Sequence, residues 1–272
     1  MRPRGLARFC LRLEWRDAPL RCRTIQSPHV IGVALTMRPS GVNLMSMKAP
    51  FCILFASLLT AGLALAQTKQ APLDPALPNI LLIGDSISGG YEKQVKQALQ
   101  GKANVVKNEG NAEWTGTGLK KIDAYLGDTK WDIIHFNWGL WDLYGWAYYD
   151  EDRSPEAYAK RLDQLVTRME KTGAKLIWAT TTPACSGPEQ TMLKRFKKEV
   201  VITPEQQAKY SEAALEVMKK HGVEINDLYA YILPTLATHK PDPDNVHYTG
   251  AGNGHLAKKV VATLEQAMKE LK

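Results

Sequence analysis

The chain has 272 residues, with 35 Lys and Arg against 28 Asp and Glu, a formal charge of +7, and four cysteines. The basic excess sits in the first 66 residues, where eight Arg and Lys48 face Glu14 and Asp17; the remainder holds 26 basic and 26 acidic residues. That balance removes the electrostatic footprint of nucleic-acid binding, and Cys185, alone after residue 66, excludes an internal disulfide or a thiolate zinc site there.

Residues 1–44 are Arg-rich without useful periodicity and read as a stretch ahead of a mis-called start, the true one being Met45 or Met47. From 45 to 66 the order is a short basic start at Lys48, an apolar run from Ala49, and Ala64-Leu65-Ala66 at the end. This is the pattern of a cleavable signal peptide, with cleavage before Gln67 and a secreted or periplasmic product. The apolar run lies near the lower length limit for a membrane span, and no Cys follows the cleavage site, so no stable membrane anchor is expected after processing.

Residues 67–77, rich in Pro, form an extended leader, and 78–272 suffice for one domain with a sizeable core. Short apolar runs predict strands at Ile80–Ile83, Asn104–Lys107, Ile133–Asn137, Lys175–Ala179 and Val223–Ile225. Between them lie helices with clear punctuation. Ser154 caps and Pro155 opens one that Gly173 stops, Thr203 to Gly222 repeats the pattern, and a last helix runs from about Gly250 to Leu271. Strands alternating with helices predict a three-layer α/β/α sandwich around a parallel sheet of about five strands, flavodoxin-like in type.

The first predicted strand ends in Gly84-Asp85-Ser86, with Gly89-Gly90 close behind. Asp and Ser there cap a helix, and Ser86 also stands at the carboxyl end of a parallel strand, where such sheets carry their sites. A serine nucleophile needs a base and a group to orient it. Near the other end, in "PDPDNVHYTGAG", Asp244 and His247 stand three apart, a spacing that in a short turn can return the carboxylate to one imidazole nitrogen. The others are weaker candidates: His135 lies within a predicted strand, His221 ends a helix, His239 sits in a polar loop and His255 lies inside the final helix.

"GDSIS" followed by a C-terminal D-x-x-H resembles the SGNH/GDSL hydrolases, over about Pro78 to Leu271. The resemblance implies Ser86 as nucleophile, His247 as general base and then acid, Asp244 as its orienting group, and no metal or organic cofactor. It also implies an oxyanion hole from the nucleophile's N–H, a Gly N–H in a second block and an Asn side chain in a G-x-N-D block. Here this sequence departs. Gly139-Leu140-Trp141-Asp142 puts Trp141 where Asn would stand, with Asn137 two residues before the block as a substitute or a mere strand-end residue. In "NEGNAEWTGTGL", Glu113 falls near the expected donor Gly, although its backbone N–H can still donate.

Trp138, Trp141, Tyr144, Trp146, Tyr148 and Tyr149 follow the third strand, and Trp114 follows the second. Rings on loops at that end of the sheet are expected to include at least two lining the cleft, which suits a sugar face. The sequence thus predicts a secreted ester hydrolase for a small-molecule or carbohydrate ester. A non-catalytic carbohydrate-binding relative of the same fold remains the alternative, and a phosphodiesterase is a weaker third reading, since no basic phosphate clamp is visible.

Overall fold

A computed structural model describes residues 72–271. The upstream stretch, the signal peptide and the first part of the leader, residues 67–71, lie outside the described residues.

Five strands form one all-parallel sheet in the order β2-β1-β3-β4-β5. They are β1 (Asn79–Ile83), β2 (Asn104–Lys107), β3 (Ile133–Phe136), β4 (Lys175–Ala179) and β5 (Glu224–Asn226). Each predicted strand is present within a residue of its expected bounds. The pairing Leu82↔His135↔Ile177 runs straight across the middle of the sheet. Because strand side chains alternate, Ile80, Leu82, Ile133 and Ile177 face one layer while Leu81, Ile83, Ile134, Phe136 and Trp178 face the other. That is why the central strands read as unbroken apolar runs: both faces are covered.

The first layer holds α1 (Ser86–Ala98) and the terminal helix, α9 (Gly250–Glu270), which pack on each other through Tyr91, Val95, Leu256, Val260 and Leu264. The opposite layer is α2 (Thr115–Leu126), α4 (Pro155–Glu170) and α6 (Pro204–His221). Their boundaries follow the predicted punctuation. The Ser154 hydroxyl accepts from Ala157 N–H ahead of α4, and Thr203 and Gln206 complete a reciprocal capping box on α6, which ends on Gly222 at φ +64°. Short helices fill the connections: α3 (Leu140–Tyr144), α5 (Gln190–Phe196), α7 (Leu228–Ile232) and α8 (Leu236–His239), with a 3-10 turn at Leu233–Thr235 between the last two. These pieces are too short for periodicity to announce them.

Helices α1 and α9 run side by side in the same direction. Ser86 meets His247 just ahead of α9, Gly90 abuts Asn253 in its first turn, and Lys102 beyond α1 reaches Glu265 near its far end at 2.7 Å. Among the described residues no helix is long and apolar enough to cross a membrane.

Candidate active site

At the end of β1 the chain turns through Gly84 and Asp85 into α1. The Asp85 carboxylate accepts from Ile87 N–H at 2.8 Å as the N-cap, which makes Ser86 the first helical residue. The capping role and the exposed hydroxyl therefore coexist, carried by neighbouring residues. Space dictates Gly84: a Cβ there would collide with the Ser88 side chain. The Ser86 N–H is one of the donors that a helix start leaves unpaired, at the positive end of the helix dipole.

His247 Nε2 lies 2.9 Å from Ser86 Oγ. Its Nδ1 lies 2.8 Å from Asn245 Oδ1, and that same oxygen accepts the His247 backbone N–H at 2.9 Å. The backbone N–H can only donate, so the amide presents its oxygen to the ring and Nδ1 must carry a proton. Nε2 is then the bare nitrogen, facing the hydroxyl. This is the tautomer that can take a proton from Ser86.

The carboxylate expected at Nδ1 is not there. Asp244 donates its N–H to Asp242 Oδ1, its carbonyl accepts from Gln190 N–H, and its carboxylate fills the space above Gly187, where a Cβ would collide with Asp244 Oδ1. The reason is a local turn: the bond from His247 N–H to the side chain two residues back selects Asn245, not the residue three back. Asp244 instead fastens this loop to the start of α5. The Asp85 carboxyl is buried, and burial holds its pKa above the ordinary carboxylate value, against the Ile87 N–H, Lys107 and His247.

The three expected oxyanion donors are arranged otherwise. Asn137 Nδ2 donates to Ala179 O at 2.7 Å, with Thr181 Oγ1 at 3.4 Å, so its amide ties β3 to the end of β4. The Glu113 N–H is held by Asn111 Oδ1 at 2.8 Å, in a left-handed conformation of φ 53°. The Trp141 indole N–H is buried without a partner among the described residues, and the ring stands edge-on to Trp146 at 5.1 Å. None of the three is brought into a hydrogen bond with Ser86 or His247.

The aromatic loop is chiefly core. Trp114, Trp138, Tyr144, Trp146 and Tyr148 are buried, and only Trp141 and Tyr149 are partly exposed. Their polar edges are spent internally: Trp138 Nε1 donates to Ala112 O, Trp146 Nε1 to Glu189, and the Tyr144 hydroxyl sits 2.8 Å from Cys185 Sγ. Sequence reasoning missed the buried Asp142, which accepts the Thr115 N–H at 3.0 Å and the Thr115 hydroxyl, with Arg161 at 3.7 Å. It also missed Lys107, which borders an open recess of about 290 Å³ together with Ser86, Gly89, Glu92, Asn108 and Asn111. A cation at the end of a predicted strand was the available signal.

No known sequence family and no curated protein matches the chain. Solved structures do. An acetyl xylan esterase aligns with a TM-score of 0.53 and 16% identity, covering 68% of this chain and 99% of its own. A lipase/acylhydrolase from Enterococcus faecalis gives 0.55 and 20%, covering 70% and 96%, and a GDSL-like lipase from Bacteroides thetaiotaomicron gives 0.54 and 13%, covering 70% and 88%. The fold is that of the SGNH/GDSL hydrolases. At these identities the likeness is one of fold, and this chain is a divergent example of it. Asn245, and not the expected Asp244, stands at the imidazole.

Proposed function

We propose that this protein is a serine ester hydrolase. The observation that carries the reading is the 2.9 Å contact between Ser86 Oγ and His247 Nε2, made by residues 161 positions apart, with Nδ1 fixed in the proton-bearing form. His247 removes the Ser86 proton as Oγ forms a bond to the ester carbonyl carbon, whose π electrons move onto oxygen. The tetrahedral intermediate collapses, the C–O bond to the alcohol breaks, and the imidazolium returns its proton to the leaving alkoxide. Water, deprotonated by the same imidazole, then bonds to the acyl carbon, the C–Oγ bond breaks, and the imidazolium returns its proton to Ser86 Oγ as the acid leaves. Asn245 orients the ring but brings no charge to the imidazolium.

The substrate class is a carboxylic ester. An acyl group on carbohydrate is the finer reading; the similarity in fold to an acetyl xylan esterase supports it. With five of the seven rings buried and the Tyr149 ring covered by Lys198 at 3.1 Å, stacking on a sugar falls to Trp141. Export through the segment ending at Ala66 belongs to the same proposal, and N-terminal sequencing of the exported protein should begin at Gln67.

The test is turnover of p-nitrophenyl acetate together with mass-spectrometric mapping of a fluorophosphonate adduct. Wild type should turn over and carry the label on Ser86, whereas Ser86→Ala and His247→Ala should do neither. A folded wild type that is inert to both reagents sinks the proposal and leaves the non-catalytic relative.

A further inference from the structure

Helix α5 closes a small unit on the surface. Its C-cap, Lys197, turns in the left-handed region at φ 55°, the Lys198 N–H returns to Met192 O at 3.1 Å, and Val200 O accepts the Glu189 N–H at 3.1 Å. The unit is fastened to the loop that carries His247. Gln190 donates its N–H to Asp244 O at 3.0 Å and its side-chain amide to Asp242 at 2.9 Å, and the Gly187 N–H reaches Pro243 O at 2.9 Å. A partner seated on this unit is therefore held one loop away from Ser86 and His247.

Its outer side joins exposed apolar side chains to unpaired positive charge. Met192 is buried, and steps of about 100° carry Leu193, Lys194 and Arg195 around the outward side of the helix. Leu193 is 41% exposed, and Val201, just after the chain returns to Glu189, is 43% exposed. Between them Lys194, Arg195, Lys197 and Lys198 stand against Glu199 alone, in a chain whose charges after residue 66 balance. Lys198 lies over the Tyr149 ring and pairs with Asp150 at 3.5 Å. The other three cations form no ion pair among the described residues: Lys194 reaches the Gln190 amide at 3.2 Å, and Arg195 lies over the Phe196 ring at 5.2 Å. Lys197 is the telling one. Glycine fills such a cap without steric cost, whereas an L side chain there is strained. A lysine in that place lowers stability, and what it adds is charge.

We propose that residues 189–201 form a docking surface for an anionic lipid bilayer, with Lys194, Arg195 and Lys197 at the level of the phosphates and Leu193 and Val201 entering the headgroup boundary. Anionic headgroups supply the counter-charge that these three cations lack. The two aliphatic side chains find a place in a bilayer that an acidic polysaccharide does not offer. Docking of this kind is peripheral and reversible. It brings Ser86 to esters carried at such a surface; that consequence rests on the ester-hydrolase reading, whereas the docking itself does not.

The experiment measures partition onto vesicles by co-sedimentation, with Ser86→Ala as the background so that no lipid is consumed and with every variant sharing one N terminus. The protein should bind vesicles of equal parts phosphatidylglycerol and phosphatidylcholine, bind phosphatidylcholine alone far less, and lose the difference at high salt. Each cation near an anionic bilayer is worth roughly fivefold in partition, so combined Lys194→Gln, Arg195→Gln and Lys197→Gln should bind about a hundredfold less. Combined Leu193→Ser and Val201→Ser should lose on the order of tenfold. Lys197→Gly alone should bind roughly fivefold less and yet melt at a higher temperature, which a lysine serving the fold would not do. Equal binding to anionic and neutral vesicles, undiminished binding by the triple variant, or a lower Tm in Lys197→Gly overturns the proposal. So does undiminished binding by the Leu193→Ser and Val201→Ser protein, which together with binding to polygalacturonate would assign the surface to an acidic polysaccharide. Failure of the hydrolase reading gives a different result, a Ser86 protein without ester turnover, and leaves the vesicle measurement unchanged.

Discussion

At His247, chemistry is decided by which neighbour accepts from Nδ1. The D-x-x-H spacing made Asp244 the natural choice, and Ser86 and His247 were both legible from the sequence as a strand-end hydroxyl and a loop imidazole. The turn that places Asn245 on the ring was not legible, because Asp and Asn close such side-chain-to-backbone turns equally well and only the backbone path selects between positions two and three residues back. Asn245→Ala should therefore lower kcat by on the order of a hundredfold, the scale of a misoriented general base. Asn245→Asp should keep or raise the rate, since a carboxylate accepts from the same N–H. Asp244→Ala should mainly loosen the loop, seen as a lower Tm with kcat close to normal. A larger kcat loss in Asp244→Ala than in Asn245→Ala would show that the carboxylate reaches the ring during turnover. Asn137 follows the same logic. Its amide is bonded to Ala179 O, so Asn137→Ala should cost about 1–3 kcal/mol of stability by orphaning that carbonyl, with kcat in the folded variant near normal. A hundredfold loss of kcat without loss of stability would show instead that the amide serves the substrate.

Elements α2 and α3 are fastened by Asp142, the last residue of the Gly139–Asp142 block. The α2 N-cap is Trp114, which offers no side-chain acceptor, and Asp142 from α3 supplies one to the Thr115 N–H. Burial nevertheless dominates and pushes the Asp142 carboxyl up to about 7, against the Thr115 bonds and Arg161. Across the sheet, His135 of β3 is buried, with Nε2 3.0 Å from Asn226 Nδ2, and burial holds its imidazole down to about 4. The two act oppositely in one pH window. Asp142 binds its proton more tightly folded than unfolded, so its contribution is greatest below about pH 4 and falls as pH rises towards 7. His135 binds its proton less tightly folded, so its contribution is intact above about 6.5 and is lost as pH falls towards 4. Urea unfolding at several pH values should show stability rising more steeply from pH 4 to 6.5 in Asp142→Asn than in wild type. His135→Gln should tilt the profile the other way. Parallel profiles for wild type and Asp142→Asn would mean that the carboxylate stays ionised in the fold. Asp142 escaped the sequence reading because a buried acid and an exposed one look alike in a chain; only the packing of α3 against Thr115 distinguishes them.

Across the whole molecule, the two reactive residues come from opposite ends of the domain and meet because α1 and α9 lie parallel in one layer. The alternation of apolar runs and capped helices made the layered α/β architecture legible. The strand order was not, since pairing β1 between β2 and β3 depends on crossovers that leave no local mark. The same parallel seat separates stability from activity along α9. Leu264 is fully buried about four turns into α9 from the site, and Leu264→Ala should cost about 2–5 kcal/mol through the cavity it leaves. Because that cavity is remote from Ser86, kcat/KM of the folded protein should stay within about twofold of wild type. Gly90 lies at the other end of the seat, where a Cβ would press on Asn253 in the first turn of α9. Gly90→Ala gains about 1 kcal/mol of helix propensity in α1, which offsets part of the clash, so its stability should change little. It should still displace the start of α9 and with it the loop that carries His247, and small misplacements of a catalytic base are expensive, so kcat should fall by about tenfold to a hundredfold. Urea midpoints and ester turnover on the two variants give the comparison. Equal losses of kcat would show that the Ser86–His247 geometry depends on the whole length of the helix pair, whereas the contacts around Asn253 predict that its first turn alone sets it.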